Sequence, residues 1–361
     1  MLWDGCSSSV SLVVSKHLKD RRDFLKKAGV LSLLPAFSFP TNASCNTPEA
    51  KPGEWDFFMP PALKKGDTVG IVSPAGALFE KTSLEEFKKI LQGFGFIVKE
   101  GKHLHKRIGY FAGTDEERAE DVTSMFADSA VKGIFCAKGG WGCARILPLL
   151  DYDLIKKNPK VLIGFSDISS LLNAIAKNSM LVTFHGPVGN SGWNAFSSSS
   201  FVNTVMDKKP MEYSFGENET IYSEGYAKGS LVGGNLSIIC ASIGTPYAPA
   251  FKGFQKRILF LEETTEEPYR IDRMLTQLKQ SGAFDELQAI LFGQCTKCIA
   301  EEPDKAFTIQ EVFAQHFKGM KIPVVTGLPF GHTKDKLTLP VGGQVSIDTK
   351  DKKLIVYPGV R

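Results

Sequence analysis

The chain has 361 residues, 43% hydrophobic and 23% charged, which is enough apolar material for the cores of two domains and an ordinary globular balance. Its formal net charge of +4 is spread among interspersed acidic residues, so no basic stripe exists to neutralise a row of phosphates and nucleic acid is not expected as a partner. Seven cysteines (Cys6, Cys45, Cys136, Cys143, Cys240, Cys295 and Cys298) are too few and too scattered for a disulfide framework.

Taken in chain order, residues 1–45 read as a targeting segment. Asp20-Arg21-Arg22-Asp23-Phe24-Leu25-Lys26-Lys27 precedes the weakly apolar run Ala28 to Phe37, which is too short to span a bilayer. Paired arginines in this setting resemble a twin-arginine export signal, so an exported, periplasmic protein is expected. A basic helix end before a buried helix is the alternative. Asn42-Ala43-Ser44-Cys45 has the small residues of a lipoprotein processing site, with Asn42 where an aliphatic residue is usual. Attachment to a membrane is therefore expected only through a lipid anchor at Cys45. Residues 46–60 have the Pro, Asn, Thr and Glu content of a linker.

From residue 61 strands and helices alternate. Asp67 to Val72 is a short apolar strand followed by the turn residues Ser73-Pro74-Ala75-Gly76, and Leu84 to Leu91 has helical apolar spacing. Ile97 to Lys99 is a strand. Thr114 opens a helix with Asp115, Glu116 and Glu117 in its first turn, where negative charge suits the dipole. Gly133 to Ala137 and Val161 to Phe165 are two more strands. This alternation predicts a parallel sheet with helices on both faces, an α/β domain over residues 61–190. Residues 191–224 dissolve into Gly, Ser, Asn and Asp, including Ser197-Ser198-Ser199-Ser200, and are expected to be the inter-domain crossing. Residues 225–361 look more β-like, with strands near Tyr226–Leu231, Arg257–Leu261, Ala289–Phe292, Gln344–Asp348 and Lys353–Tyr357. One helix is expected from Tyr269 to Gln280, its apolar face made by Ile271, Met274, Leu275 and Leu278.

The most informative segment is Val161-Leu162-Ile163-Gly164-Phe165-Ser166-Asp167-Ile168. An aliphatic strand runs directly into a helix whose apolar positions 168, 171, 172 and 175 share one face. A nucleophile elbow has this form, with the hydroxyl lifted above the sheet edge and helix amides facing a developing oxyanion, although Ile168 replaces the second Gly of Gly-x-Ser-x-Gly. At an arbitrary strand–helix junction a Ser or Asp is more often a helix cap, so the junction alone leaves both roles open. A second Gly-rich turn, Lys138-Gly139-Gly140-Trp141-Gly142-Cys143-Ala144-Arg145, follows the preceding strand. Arg145 stands at the third Gly position of a dinucleotide fingerprint and no Gly-Lys-Ser/Thr occurs, so nucleotide binding is a weak reading. Glycines there instead let backbone N–H groups approach a carbonyl, which makes the loop a candidate second oxyanion donor.

Gly139-Gly140-Trp141-Gly142, Gly164-Phe165-Ser166-Asp167, Thr183-Phe184-His185-Gly186-Pro187, Gly233-Gly234-Asn235-Leu236, Leu261-Glu262-Glu263 before Pro268-Tyr269-Arg270-Ile271-Asp272-Arg273, and Gly331-His332 resemble the ordered landmarks of the LD-carboxypeptidase family. That family includes murein tetrapeptide carboxypeptidases and microcin C immunity peptidases. The resemblance implies Ser166 as nucleophile, His332 as general base and Glu262 as its acid partner, with Glu263 where the family often has Asp. It also implies an oxyanion hole from the amides of Gly140 and Asp167, a Rossmann-like N-terminal domain, a smaller β-rich C-terminal domain and a homodimer. The implied activity is hydrolysis of the amide between the L-centre of a diamino acid and terminal D-alanine in a muropeptide, with no cofactor and no metal. Two alternatives stand beside it: the same triad acting on peptidyl-nucleotide or other acyl-amide conjugates, and an exported muropeptide-binding protein without catalysis.

Other residues carry weaker signals. Trp141 and Arg270 are candidate substrate contacts, against roles in the core and on a polar helix face. His185 could approach the site or be a satisfied core histidine. His103 and His105 could pair on a metal, but no Glu or Cys at ligand spacing joins them. Cys295-Thr-Lys-Cys298 could be redox active, a local disulfide or two quiet thiols.

Overall fold

The structure, a computed structural model, describes residues 57–189, 191–252 and 256–361. The expected export segment, Arg21, Arg22, Cys45 and most of the expected linker lie outside the described residues. The first half alternates as its sequence predicts: β1 (Thr68–Val72), α1 (Lys81–Gly93), β2 (Ile97–Glu100), α2 (Asp115–Ala127), β3 (Val131–Cys136), the short α3 (Cys143–Ile146), α4 (Tyr152–Lys157), β4 (Val161–Gly164), α5 (Ile168–Ser179) and β5 (Thr183–His185). Thr114 caps α2 through a reciprocal box. Its hydroxyl accepts from the Glu117 amide at 3.2 Å and its own amide donates to the Glu117 carboxylate at 3.0 Å. β4 is buried at every position and β3 at all but Lys132, as strands covered on both faces require. The strands pair in parallel in the order β2-β1-β3-β4-β5.

The Ser-rich stretch is more ordered than its composition suggests. It forms α6 (Ala195–Val205), then β6 (Met211–Ser214) and β7 (Thr220–Ser223). Serine is a poor helix former, but Asn194 caps α6 by accepting from the Ser197 amide at 2.9 Å. Buried Ser197 and Ser200 then accept from the backbone N–H groups of Lys336 and Thr338, both at 2.9 Å. These tertiary partners override the local preference.

The second half contains β8 (Tyr226–Asn235), α7 (Leu236–Ser242), β9 (Arg257–Thr264), α8 (Pro268–Gln280), β10 (Leu287–Thr296), α9 (Ile309–Phe317), β11 (Val324–Leu328), β12 (Leu339–Val341), β13 (Gln344–Asp348) and β14 (Lys353–Val356). β8, β9, β10 and β11 run parallel, and α8 buries Ile271, Leu275 and Leu278 as its periodicity predicts. β12 joins the halves: it pairs antiparallel with β5, Leu339 opposite His185, and parallel with β8. Among the described residues fourteen strands form one continuous sheet. The architecture is therefore mixed α/β on a large, mostly parallel sheet, in agreement with the sequence.

Candidate active site

Ser166 sits between β4 and α5 with φ 64°, a left-handed conformation that costs a non-glycine residue about 1–2 kcal/mol. Close packing holds it there. A Cβ on Gly164 would stand 2.7 Å from Ile168 Cγ2, and one on Gly139 would stand 2.9 Å from Ser166 Cβ and 3.2 Å from its Oγ. The Gly-rich loop thus lies directly against the half-buried serine. Neither candidate cap acts as one. Asp167 makes no side-chain bond to the helix amides, and the Ser166 hydroxyl has no hydrogen-bond partner among the described residues. Instead Asp167 Oδ2 accepts from the Cys143 amide at 2.8 Å, fastening the loop to the elbow. Burial raises the Asp167 pKa, against hydrogen bonds from Cys143 and Gly142.

The loop needs glycine at Gly140 (φ 113°) and Gly142 (φ 127°). Its other supports are the Gly76 amide, which donates to Gly139 O at 3.1 Å, and the buried Arg118 guanidinium, which donates to Gly142 O at 2.9 Å and to Pro74 O. Among the described residues the amides of Gly140 and Asp167 donate to no protein group. Two unpaired N–H groups on the elements flanking Ser166 are what an oxyanion requires.

Glu262 and His332 meet on the other side. β9 carries Glu262 to its C-terminal end, fully buried, and Oε2 lies 2.7 Å from His332 Nδ1 and 3.3 Å from the His332 amide. The acceptor at Nδ1 fixes the tautomer, so the proton sits there and Nε2 keeps its lone pair. Thr296 Oγ1, at the end of β10, donates to His332 O at 2.7 Å. The imidazole packs edge-on against Phe165, the neighbour of Ser166, with ring centroids 4.9 Å apart. Burial alone would raise the Glu262 pKa, but the facing rings of His185 and His332 outweigh it and bring it down to about 2. Strand alternation turns Glu263 to the opposite face. There it accepts from Asn235 Nδ2 (3.0 Å) and the Ser237 amide (2.8 Å) and supports the start of α7, while burial raises its pKa.

A second set of contacts ties the two sides together. Asn173 on α5 donates to Gly233 O at 2.7 Å, and Ser169 Oγ accepts from the Asn235 amide at 3.0 Å. The approach is so close that a Cβ on Gly234, at φ 146°, would fall 2.4 Å from Ser169 Oγ. Arg118, Ser169, Asn173 and Thr296 thus position the site without any motif that announces them in the sequence. The remaining candidates separate. Trp141 is exposed beside Gly140, and Arg270 is engaged with Tyr269 and Glu266 on the outer surface of α8. His103 and His105 pair with Glu120 and Glu100 at 2.9 and 2.7 Å. The Cys295 and Cys298 Sγ atoms lie 2.6 Å apart at the C-terminal end of β10.

Residues 69–186 match the family model described as the LD-carboxypeptidase N-terminal domain, and residues 228–347 match the LD-carboxypeptidase C-terminal domain. The chain is 36% identical over 311 residues to a probable murein peptide carboxypeptidase of Bacillus subtilis (strain 168), covering 84% of this chain and 95% of that one. Among solved structures, muramoyltetrapeptide carboxypeptidase from Oxalobacter formigenes superposes with a TM-score of 0.71 at 31% identity, covering 81% of this chain and 99% of that one. Microcin C7 self immunity protein MccF in its wild-type apo state gives a TM-score of 0.77 at 27% identity, covering 83% and 98%.

Proposed function

The chain belongs to the LD-carboxypeptidase family and is a serine carboxypeptidase acting on peptide bonds; on that premise we propose that Ser166, His332 and Glu262 are its triad and that it releases D-alanine from murein tetrapeptides. The observation that carries the proposal is the 2.7 Å bond from buried Glu262 to His332 Nδ1, with the His332 ring packed beside an elbow that holds Ser166 at φ 64°. His332 Nε2 takes the Ser166 proton as Oγ attacks the carbonyl. Glu262 stabilises the imidazolium, and the Gly140 and Asp167 amides receive the oxyanion. Collapse expels D-alanine, protonated by His332, and leaves an acyl-serine. Water, activated by the same imidazole, then hydrolyses the ester.

The expected result is release of one D-alanine from a synthetic tetrapeptide with an L-centred diamino acid, read by mass spectrometry, and none from the epimer at that centre. The similarity to MccF supports a second reading, cleavage of peptidyl-nucleotide conjugates. Turnover of an aminoacyl sulfamoyl adenosine without cleavage of the tetrapeptide would select it and remove the first.

The sequence also supports export through the Arg21-Arg22 segment, so that the muropeptide is met outside the cytoplasm, and a lipid anchor at Cys45, while the family resemblance supports a homodimer. Replacing both arginines by lysine is expected to retain the protein inside the cell. Unchanged recovery in the periplasmic fraction would rule the signal out.

A further inference from the structure

His185 ends β5, opposite Gly164 of β4 and Leu339 of β12, and is 1% exposed. Its ring is wedged edge-on between Phe165 and Phe260, with centroids 5.9 and 5.2 Å away. Among the described residues neither ring nitrogen has a hydrogen-bond partner, and neither does the second oxygen of Glu262, Oε1. These unpaired groups face each other: His185 Nε2 lies 3.9 Å from Glu262 Oε1. A core histidine kept for packing would have its nitrogens satisfied, because an unpaired buried polar group is costly. Here the unpaired group facing Nε2 is the second oxygen of the carboxylate that orients His332. A displacement of about 1 Å brings the pair to ordinary hydrogen-bond length.

We propose that His185 is a positioning residue for Glu262: as the neutral Nε2–H tautomer it donates to Oε1, so the carboxylate is clamped between two imidazoles. This inference rests on the triad assigned above. With Oε1 held by His185, the plane of the carboxylate is set and Oε2 stays in line with His332 Nδ1. Neutrality suits the reaction, since His332 gains a proton at each transition state and a second cation across Glu262 would oppose that gain. The role is carried by one atom at one distance, and side chains of different length separate it from packing. A Gln amide nitrogen reaches the place of Nε2, an Asn nitrogen reaches only that of Nδ1, and Phe fills the space with no donor.

The test measures steady-state D-alanine release, with thermal melts to establish folding, for His185→Gln, His185→Asn and His185→Phe. His185→Gln is expected to keep kcat within about fivefold. His185→Asn and His185→Phe are expected to lose about 10- to 100-fold in kcat, with KM within about twofold, as for misalignment of a catalytic group. If His185→Phe does not fold, the Gln–Asn pair decides. Equal kcat in those two, or a loss expressed in KM alone, overturns the role. Ser166→Ala run in parallel separates the failures. A dead Ser166→Ala beside an unimpaired His185→Asn removes only the role of His185, whereas turnover surviving in Ser166→Ala removes the triad and this inference with it.

Discussion

Ser166→Ala is expected to lower kcat for D-alanine release by about 10⁶-fold with KM little changed, the loss typical when the nucleophile of a triad is removed. Its melting temperature should stay close to that of the parent, because alanine inherits the same left-handed backbone. Ser166→Gly should be equally inactive yet more stable by about 1 kcal/mol, since glycine adopts φ 64° without the clash that a side chain meets. Kinetics and thermal melts of the two variants read different properties of one position. Residual turnover in either above a few thousandth of the parent rate would mean that another group attacks the carbonyl, and a Ser166→Gly protein no more stable than Ser166→Ala would show the backbone to be unstrained.

Glu262→Gln should cost about 10⁴-fold in kcat, as when the acid of a triad becomes its amide and the imidazole is left in the wrong tautomer. The fold should survive, because Gln fills the same volume. The same variant reports on acid stability. The Glu262 pKa in the folded protein is about 2, below its ordinary 4.5. Its ionised form therefore contributes stability that is fully present above pH 4.5 and is lost as pH falls through 2. The gap in melting temperature between parent and Glu262→Gln should be constant above pH 4.5 and narrow below it. A gap that does not change down to pH 2 would show that the carboxylate is not held ionised by its two histidines.

Local rules made the first half of the fold readable. Thr114 and Glu117 announce a helix start, and the apolar positions 168, 171, 172 and 175 announce the face that α5 buries. The elbow was visible as a strand running into a helix, but the choice between cap and nucleophile was not. That choice depends on where the side chains of Ser166 and Asp167 point, and Asp167 turns out to bind the Cys143 amide of a different loop. Glu262 and Glu263 are adjacent and chemically alike, and only strand alternation assigns one to His332 and the other to Asn235. The helix over Ser197 to Ser200 was not legible in the composition of the expected inter-domain crossing, because it is held by partners 139 and 138 residues further along the chain, Lys336 and Thr338. His185 was legible as a residue in an apolar run and not as a neighbour of Glu262, since the two meet only through tertiary packing.

β12 gives the molecule a particular order of completion. The strand that seals the open edge of β5 and stands opposite His185 is made of Leu339, Pro340 and Val341, synthesised long after β5 itself. While the intervening chain emerges, β5 presents an unpaired edge ending at a residue of the future site. A shortened product lacking these three residues would lose a strand from the middle of the sheet rather than from its margin. Quality control that senses exposed strand edges would therefore discriminate between finished and unfinished chains at the very place where the hydrolytic machinery is assembled.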